Sequence, residues 1–386
     1  MAAMNRAVPA PAHPAPLTAL VDLSAIADNV RALRAAAPGR ELMAVVKANG
    51  YGHGAIEAAR AALQAGADWL GVAHLREALD LREAGIKEPI LFWLYGPQED
   101  LTPAVRHGID IGVSSLHGFE QVCEAAANAG RRARIHMKID TGLGRNGATA
   151  EQWVGLLDAV NEADMRGLIE PVGVFSHLAC ADEPGHESIA LQKQNFLTAI
   201  DVAKTRSVNF SRRHLANTPG VFAKEDLAFD LIRPGLGIYG LSPFADRNAE
   251  ELGLRPALRL VSLVAQVKRV PAGQGVSYGL GYRTSVESTL ALVPAGYGDG
   301  IPRAASDRAE VSIRGKRYRI AGRVAMDQFV VDVGDDKVRL GDEVVILGAN
   351  PGEPTVEDWA RATDTINYEV VTRLSARVAR SYLPVA

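Results

Sequence analysis

Between about residues 17 and 250, eight short apolar, β-rich runs alternate with amphipathic helical stretches. The runs are Leu42–Ala48 (LMAVVKA), Trp69–Ala73 (WLGVA), Ile90–Tyr95 (ILFWLY), Ile109–Ser114 (IDIGVS), Ala133–Asp140 (ARIHMKID), Glu170–His177 (EPVGVFSH), His214–Thr218 (HLANT) and Leu231–Ile238 (LIRPGLGI). Segments such as IEAARAALQAGA, LREALDLREAGI and LHGFEQVCEAAANAG lie between them, the last two carrying an Ala-Gly pair suited to a helix C-terminus. SAIADNVRALRAAA, before the first run, reads as a helix opened by a serine cap. Strands that are almost continuously apolar and separated by helices imply a parallel sheet covered on both faces. Eight such units in this length predict a (β/α)8 barrel of the TIM type. The alternative is an open doubly wound sheet. It is disfavoured because the formal G-x-G-x-x-G at Gly235–Gly240 is followed by LSPF and not by a helix.

Near residue 255 the rhythm changes to period-2 apolar segments broken by Gly, Pro and Asp: LRLVSLVAQVKRV, TLALVPAGYGD, AEVSIRGKRYRIAG, FVVDVGDD and GDEVVILGA. They predict a mostly antiparallel β domain over 255–386, with helices expected in VEDWARAT and NYEVVTRLSARVAR. The barrel is assigned to 17–254. Residues 1–16, interrupted by four prolines, read as a disordered Pro/Ala tail and not as a signal peptide. A net charge of −3 with no Lys/Arg block argues against nucleic-acid binding, and no run is long enough to span a bilayer. The cytoplasm is the expected compartment. Two cysteines, Cys123 and Cys180, provide neither a disulfide framework nor a metal cluster, and both are expected to be buried inert thiols.

Barrel chemistry sits at the C-terminal ends of strands. Those ends supply Lys47, Asn49 and Tyr51; Lys138, Asp140 and Arg145; Ser176 and His177; Asn217 and Thr218; and Arg233 before Pro234-Gly235. Lys47 leaves an apolar strand, where a depressed pKa suits a nucleophilic amine, though an isolated lysine there more often reads as one snorkelling to the rim. No His pair has metal spacing such as H-E-x-x-H, so no metal is expected.

AVVKANGYGHG at 44–54 resembles the signature of the alanine racemase family, whose fold is a pyridoxal-phosphate barrel followed by a β domain. The resemblance continues in MKIDTGLGRNG at 137–147, FSHLACAD at 175–182, HLANTPG at 214–220, LIRPGLGIYG at 231–240, VSYG at 276–279, PAGYGDG at 294–300, GRVAMDQ at 322–328 and NYEVVTRLSARVAR at 367–380.

The resemblance implies that Lys47 holds pyridoxal 5'-phosphate and acts as one of two bases. Tyr278, from the second subunit of a homodimer, is the other. Racemisation needs a base on each face of Cα. Arg233 is implied to meet the pyridine nitrogen, with His214 behind it. Arg145 and the Met326 backbone are implied to meet the substrate carboxylate, and Lys138 matches a position often carbamylated in the family. His177 and Asn217 are expected beside the cofactor. Its phosphate is expected at Tyr51, Thr218, Gly235, Leu236 and Tyr368, with Tyr297 and Asp327 supporting the entry. Ala325 stands where many family members have Cys before Met-Asp, which leaves the strictness of alanine preference open. The implied activity is interconversion of L- and D-alanine, supplying D-alanine for peptidoglycan. A pyridoxal-phosphate decarboxylase, a broad-specificity racemase, a non-catalytic cofactor carrier and a metal-dependent barrel hydrolase, for which the sequence offers no His/Asp ligand set, are the rivals. Arg145 and Met326, suited to retaining a carboxylate, argue against the first.

Overall fold

The structure is a computed structural model that describes residues 15–223 and 225–384. The described residues form two compact units: Ala25–Gly50 with Ala55–Arg255, and 15–24 with Tyr51–Gly54 and 256–384.

The first unit is the barrel. Its eight strands are β2 (Glu41–Val45), β3 (Trp69–His74), β4 (Ile90–Leu94), β5 (Asp110–Val113), β6 (Ala133–Lys138), β7 (Ile169–Phe175), β8 (Arg212–His214) and β9 (Leu231–Ile232). They form one sheet in the order β8-β7-β6-β5-β4-β3-β2-β9, every neighbouring pair being parallel. The ring closes where Asn217 bridges Arg233, with the Arg233 amide donating to the Ala216 carbonyl at 2.9 Å. Met43, Trp69, Leu91, Val172 and Leu231 pack together in the interior, so the barrel is filled with side chains. The helix Leu116–Ala129 begins where the Ser115 hydroxyl accepts from the Gly118 amide and ends at left-handed Gly130. Thr149 and Gln152 close a capping box on Ala150–Met165.

The second unit holds a six-stranded sheet in the order β16-β15-β18-β10-β1-β19 and a three-stranded sheet β11-β14-β17. Here β1 is Leu17–Asp22, β10 Leu258–Leu263, β11 Gln266–Val270, β14 Ser288–Val293, β15 Glu310–Ile313, β16 Lys316–Arg319, β17 Phe329–Gly334, β18 Glu343–Leu347 and β19 Ala379–Leu383, while the short pair β12 (Gly275–Val276) and β13 (Tyr282–Arg283) stands apart. β15 and β16 turn through Arg314 and Gly315, both at positive φ, as a type I′ hairpin requires.

Four expectations need correction. Residues 17–24 were assigned to the barrel, but β1 lies between β10 and β19 in the other unit's sheet. Its hydrogen-bonding partners are some 240 and 360 positions away, so nothing local marked it. The helix expected over 367–380 ends at Thr372, because Ala379–Leu383 pairs in parallel with β1. Both cysteines are free but only half-buried, and burial pushes the Cys123 thiol up. Ser24 lies inside the helix Leu23–Ala36 and donates its hydroxyl to the Pro384 carbonyl. The tail read over 1–16 lies, up to residue 14, outside the described residues. Among the described residues no helix is long and apolar enough to cross a membrane.

Candidate active site

Lys47 leaves the C-terminal end of β2 and starts a strained loop. Ala48, Asn49, Gly50 and Tyr51 follow at φ of 52°, 53°, 62° and 51°. Each non-glycine residue in that region costs about 1–2 kcal/mol, and such strain concentrates at functional sites. Three bonds hold the loop: the Gly50 amide to the Val46 carbonyl (2.8 Å), the Ala55 amide to Asn49 Oδ1 (3.1 Å) and the Ala48 amide to Glu77 Oε1 (2.6 Å). Glu77 also accepts from the amides of Ala73 and His74 through its other oxygen. Sequence reasoning did not single out Glu77; its only signal was a glutamate in the first turn of the helix after β3.

Around Lys47 the barrel gathers positive charge. Its Nζ lies 5.7 Å from the Trp93 ring centroid, and burial, then Arg145, lower its pKa, with Arg233 adding to the effect and Glu77 opposing it. Lys138, the last residue of β6, is buried, and burial, then Arg233 and Arg145, bring its pKa to about 8. His177 is held well below the usual imidazole range by burial and then by Arg233 and Arg145. Burial alone brings Arg233 to about 9. The structure therefore brings together Lys47, Lys138, Arg145, His177 and Arg233, as the strand-end reading expects.

The remaining barrel residues form the supporting turns. Asp140 does not pair with Lys138; its carboxylate accepts from the amides of Gly142, Leu143 and Gly144 and so shapes the loop that carries exposed Arg145. Asn217 Oδ1 accepts from the Gly220 amide. Thr218 Oγ1 accepts from the amides of Gly235 (3.0 Å) and Gly237 (3.2 Å), which gathers the turn containing Leu236 around one hydroxyl. Gly237 is required there, since a Cβ would lie 2.9 Å from Thr218 Cγ2. Arg233 donates through Nη2 to the Ser176 carbonyl (2.6 Å) and through Nη1 to His214 Nδ1 (3.1 Å).

The second unit carries the other expected residues. Tyr51 packs against Tyr368 with ring centroids 6.3 Å apart, and burial raises its phenol pKa. Gly52 fits only without a side chain, since a Cβ would lie 2.1 Å from the Val371 carbonyl oxygen. Tyr278 is 70% exposed in a loop where Ser277, at φ 59°, donates to the Arg323 carbonyl. Tyr297 and Met326 are exposed on two loops tied by the bonds Tyr297 amide to Ala325 carbonyl and Gly298 amide to Met326 carbonyl. Asp327 pairs with Arg377 at 2.8 Å, which anchors the same loop.

Comparison with known proteins agrees with this geometry. Residues 21–243 match the family model "Alanine racemase, N-terminal domain" and residues 257–382 match "Alanine racemase, C-terminal domain". The chain is 51% identical over 367 residues to the alanine racemase of Frankia casuarinae, covering 95% of this chain and 96% of the relative. It is similar to the solved structure of alanine racemase from D-cycloserine-producing Streptomyces lavendulae, with a TM-score of 0.95, 52% identity and coverage of 96% and 98%. A Bacillus anthracis alanine racemase solved with bound L-Ala-P superposes with a TM-score of 0.88 at 34% identity, covering 97% of this chain and 96% of that one. Both units and their order along the chain are thus shared with these proteins: the chain belongs to the alanine racemase family.

Proposed function

We propose that this chain is a pyridoxal-phosphate-dependent isomerase that interconverts L-alanine and D-alanine in the cytoplasm, supplying D-alanine for peptidoglycan, and that it works as a homodimer. The observation that carries the reading is Lys47: a desolvated amine at a strand end, its pKa lowered by burial and by Arg145. The donor set fits a phosphorylated pyridine aldehyde. Lys47 suits the carbonyl. Thr218 and the Gly235–Gly237 turn sit after the barrel's last two strands, where such folds hold phosphate. His177 and Asn217 lie at strand ends of the same barrel mouth. When bound, the cofactor supplies the electron-withdrawing ring that acidifies the α-hydrogen.

The chain's own groups do the rest. Lys47 takes or returns the α-proton on one face, and Tyr278 of the partner subunit acts on the other. Exposed Tyr278, Tyr297 and Met326 fit a surface that a second copy covers. Arg145 and the partner subunit's Met326 amide hold the substrate carboxylate. Arg233, with donors only, would leave a ring nitrogen that it met unprotonated and so temper the electron sink. Lys138, an amine shifted to about 8, is suited to take up carbon dioxide as a carbamate that would pair with Arg145. The test is to incubate the protein with pyridoxal phosphate and L-alanine and to follow D-alanine by chiral chromatography, beside Lys47→Ala. Racemisation that the variant fails to perform supports the reading. Cofactor binding without D-alanine overturns it.

A further inference from the structure

We propose that Asp110 and His136 are positioning residues that fix the proton of His214 on Nε2 and thereby keep His214 Nδ1 as the acceptor for Arg233. The proposal rests on the reading of Arg233 as the group that meets the cofactor ring. Four buried side chains form an unbroken line through the barrel interior. Asp110, at the N-terminal end of β5, bonds His136 Nε2 at 3.1 Å; His136 Nδ1 bonds His214 Nε2 at 2.8 Å; His214 Nδ1 bonds Arg233 Nη1 at 3.1 Å.

The two ends dictate the direction of every bond. A guanidinium only donates and a carboxylate only accepts. His214 Nδ1 facing Arg233 must therefore present its lone pair, which puts the His214 proton on Nε2. That proton needs an acceptor, so His136 Nδ1 is bare and the His136 proton sits on Nε2, donated to Asp110. A proton added to either ring would set two donors against each other in a place sealed from water. At Asp110, burial opposes ionisation, but the bonds to His136 and Arg134 outweigh it and hold the carboxyl below the usual carboxylate range. The Arg134 guanidinium grips both oxygens, at 2.8 and 3.2 Å.

The packing holds the line in place. The β6–β7 register slips by one between Ile135 and His136, bringing Gly173 opposite His136, and a Cβ on Gly173 would lie 2.4 Å from His136 Nδ1. Trp69 meets the His136 ring edge-on at 5.4 Å, and Phe175 stacks on His214 at 4.9 Å. Neither ring has room to turn over and exchange its nitrogens.

Histidine tautomers of the ¹⁵N-histidine-labelled protein, read by NMR with and without pyridoxal phosphate, test this directly. The expected wild-type spectrum has His136 and His214 protonated at Nε2 and bare at Nδ1. A wild-type His214 protonated at Nδ1 overturns the proposal with no variant made. Asp110→Asn is expected to populate the Nδ1–H form of His214 and to lower kcat about tenfold with KM within about twofold, the scale of outer-sphere partners. His136→Gln keeps an acceptor for His214 and is expected to retain the Nε2–H form, whereas His136→Leu loses it. Unchanged His214 tautomers in both Asp110→Asn and His136→Leu also overturn the proposal. If the wild type shows the expected tautomers but does not racemise alanine, the proposed function fails and the hydrogen-bond line stands.

Discussion

Replacing Gly173 by alanine sets a methyl 2.4 Å from His136 Nδ1 and 2.8 Å from its Cε1, with the Arg212 carbonyl oxygen at 3.1 Å. The backbone at Gly173 is not in the left-handed region, so alanine is conformationally allowed and only space is at stake. The His136 ring is fully buried and bonded at both nitrogens, so it cannot retreat without breaking its 2.8 Å bond to His214. Overpacking of this kind costs about 1–3 kcal/mol, and the lost hydrogen bond adds about 1 kcal/mol. The stiffer unfolded chain offsets roughly 0.4–1 kcal/mol. The net destabilisation is about 2 kcal/mol, which for a unit of this size lowers the unfolding midpoint by roughly 4–8 °C. Gly155→Ala provides the control: Gly155 is exposed inside the helix Ala150–Met165 with nothing within 4 Å of the added Cβ. It should stabilise by about 0.5–1 kcal/mol through helix propensity. Scanning calorimetry on the two variants and the wild type should show shifts of opposite sign. A Gly173→Ala protein as stable as the wild type would refute the packing argument around His136.

Lys138 has a folded pKa of about 8 against an ordinary 10.5, so the unfolded chain binds more protons between those values and stability gains from this group as pH rises through that window. Urea midpoints measured from pH 7 to 10.5 should show Lys138→Met losing that gain, so that the wild type improves relative to the variant as pH rises; parallel curves would contradict it. Tyr278→Phe should lower racemisation by about 10²–10⁴-fold yet leave the unfolding midpoint nearly unchanged, because it removes one hydroxyl and keeps the ring. Mixing unfolded Lys47→Ala and Tyr278→Phe chains in equal amounts and refolding them together should restore about a quarter of wild-type activity, since half the dimers are mixed and each has one intact site. No recovery would mean that the two residues act within one subunit.

Much of the barrel was written in local pattern. Six of the eight runs became strands of four to seven residues, because apolar continuity bounded by helices suits a sheet covered on both faces; HLANT and LIRPGLGI overlap β8 and β9 by only one and two residues, the rest being turn and helix start. Lys47, Lys138, His177 and Arg233 were legible because strand ends in such a fold converge on one mouth. Glu77, Asp110 and His136 were not. A glutamate in a first helical turn and a histidine in the middle of an apolar strand look the same whether or not they have a distant partner. Asp140 was legible as a strand-end group but its role was not, because the three amides that claim it come together only once the loop at 142–144 has folded.

Spacing and periodicity, which are local, were enough to assign the parallel barrel, the change to antiparallel strands near residue 255 and the lysine at the end of the first barrel strand. The placement of β1 beside β10 and β19, the shortening of the last helix at Thr372 and the Asp110–His136–His214–Arg233 line depended on residues far apart in the chain. Hydrogen-bond partners and burial are properties of the folded chain, and they determine which sheet takes a strand and which nitrogen of a histidine carries its proton.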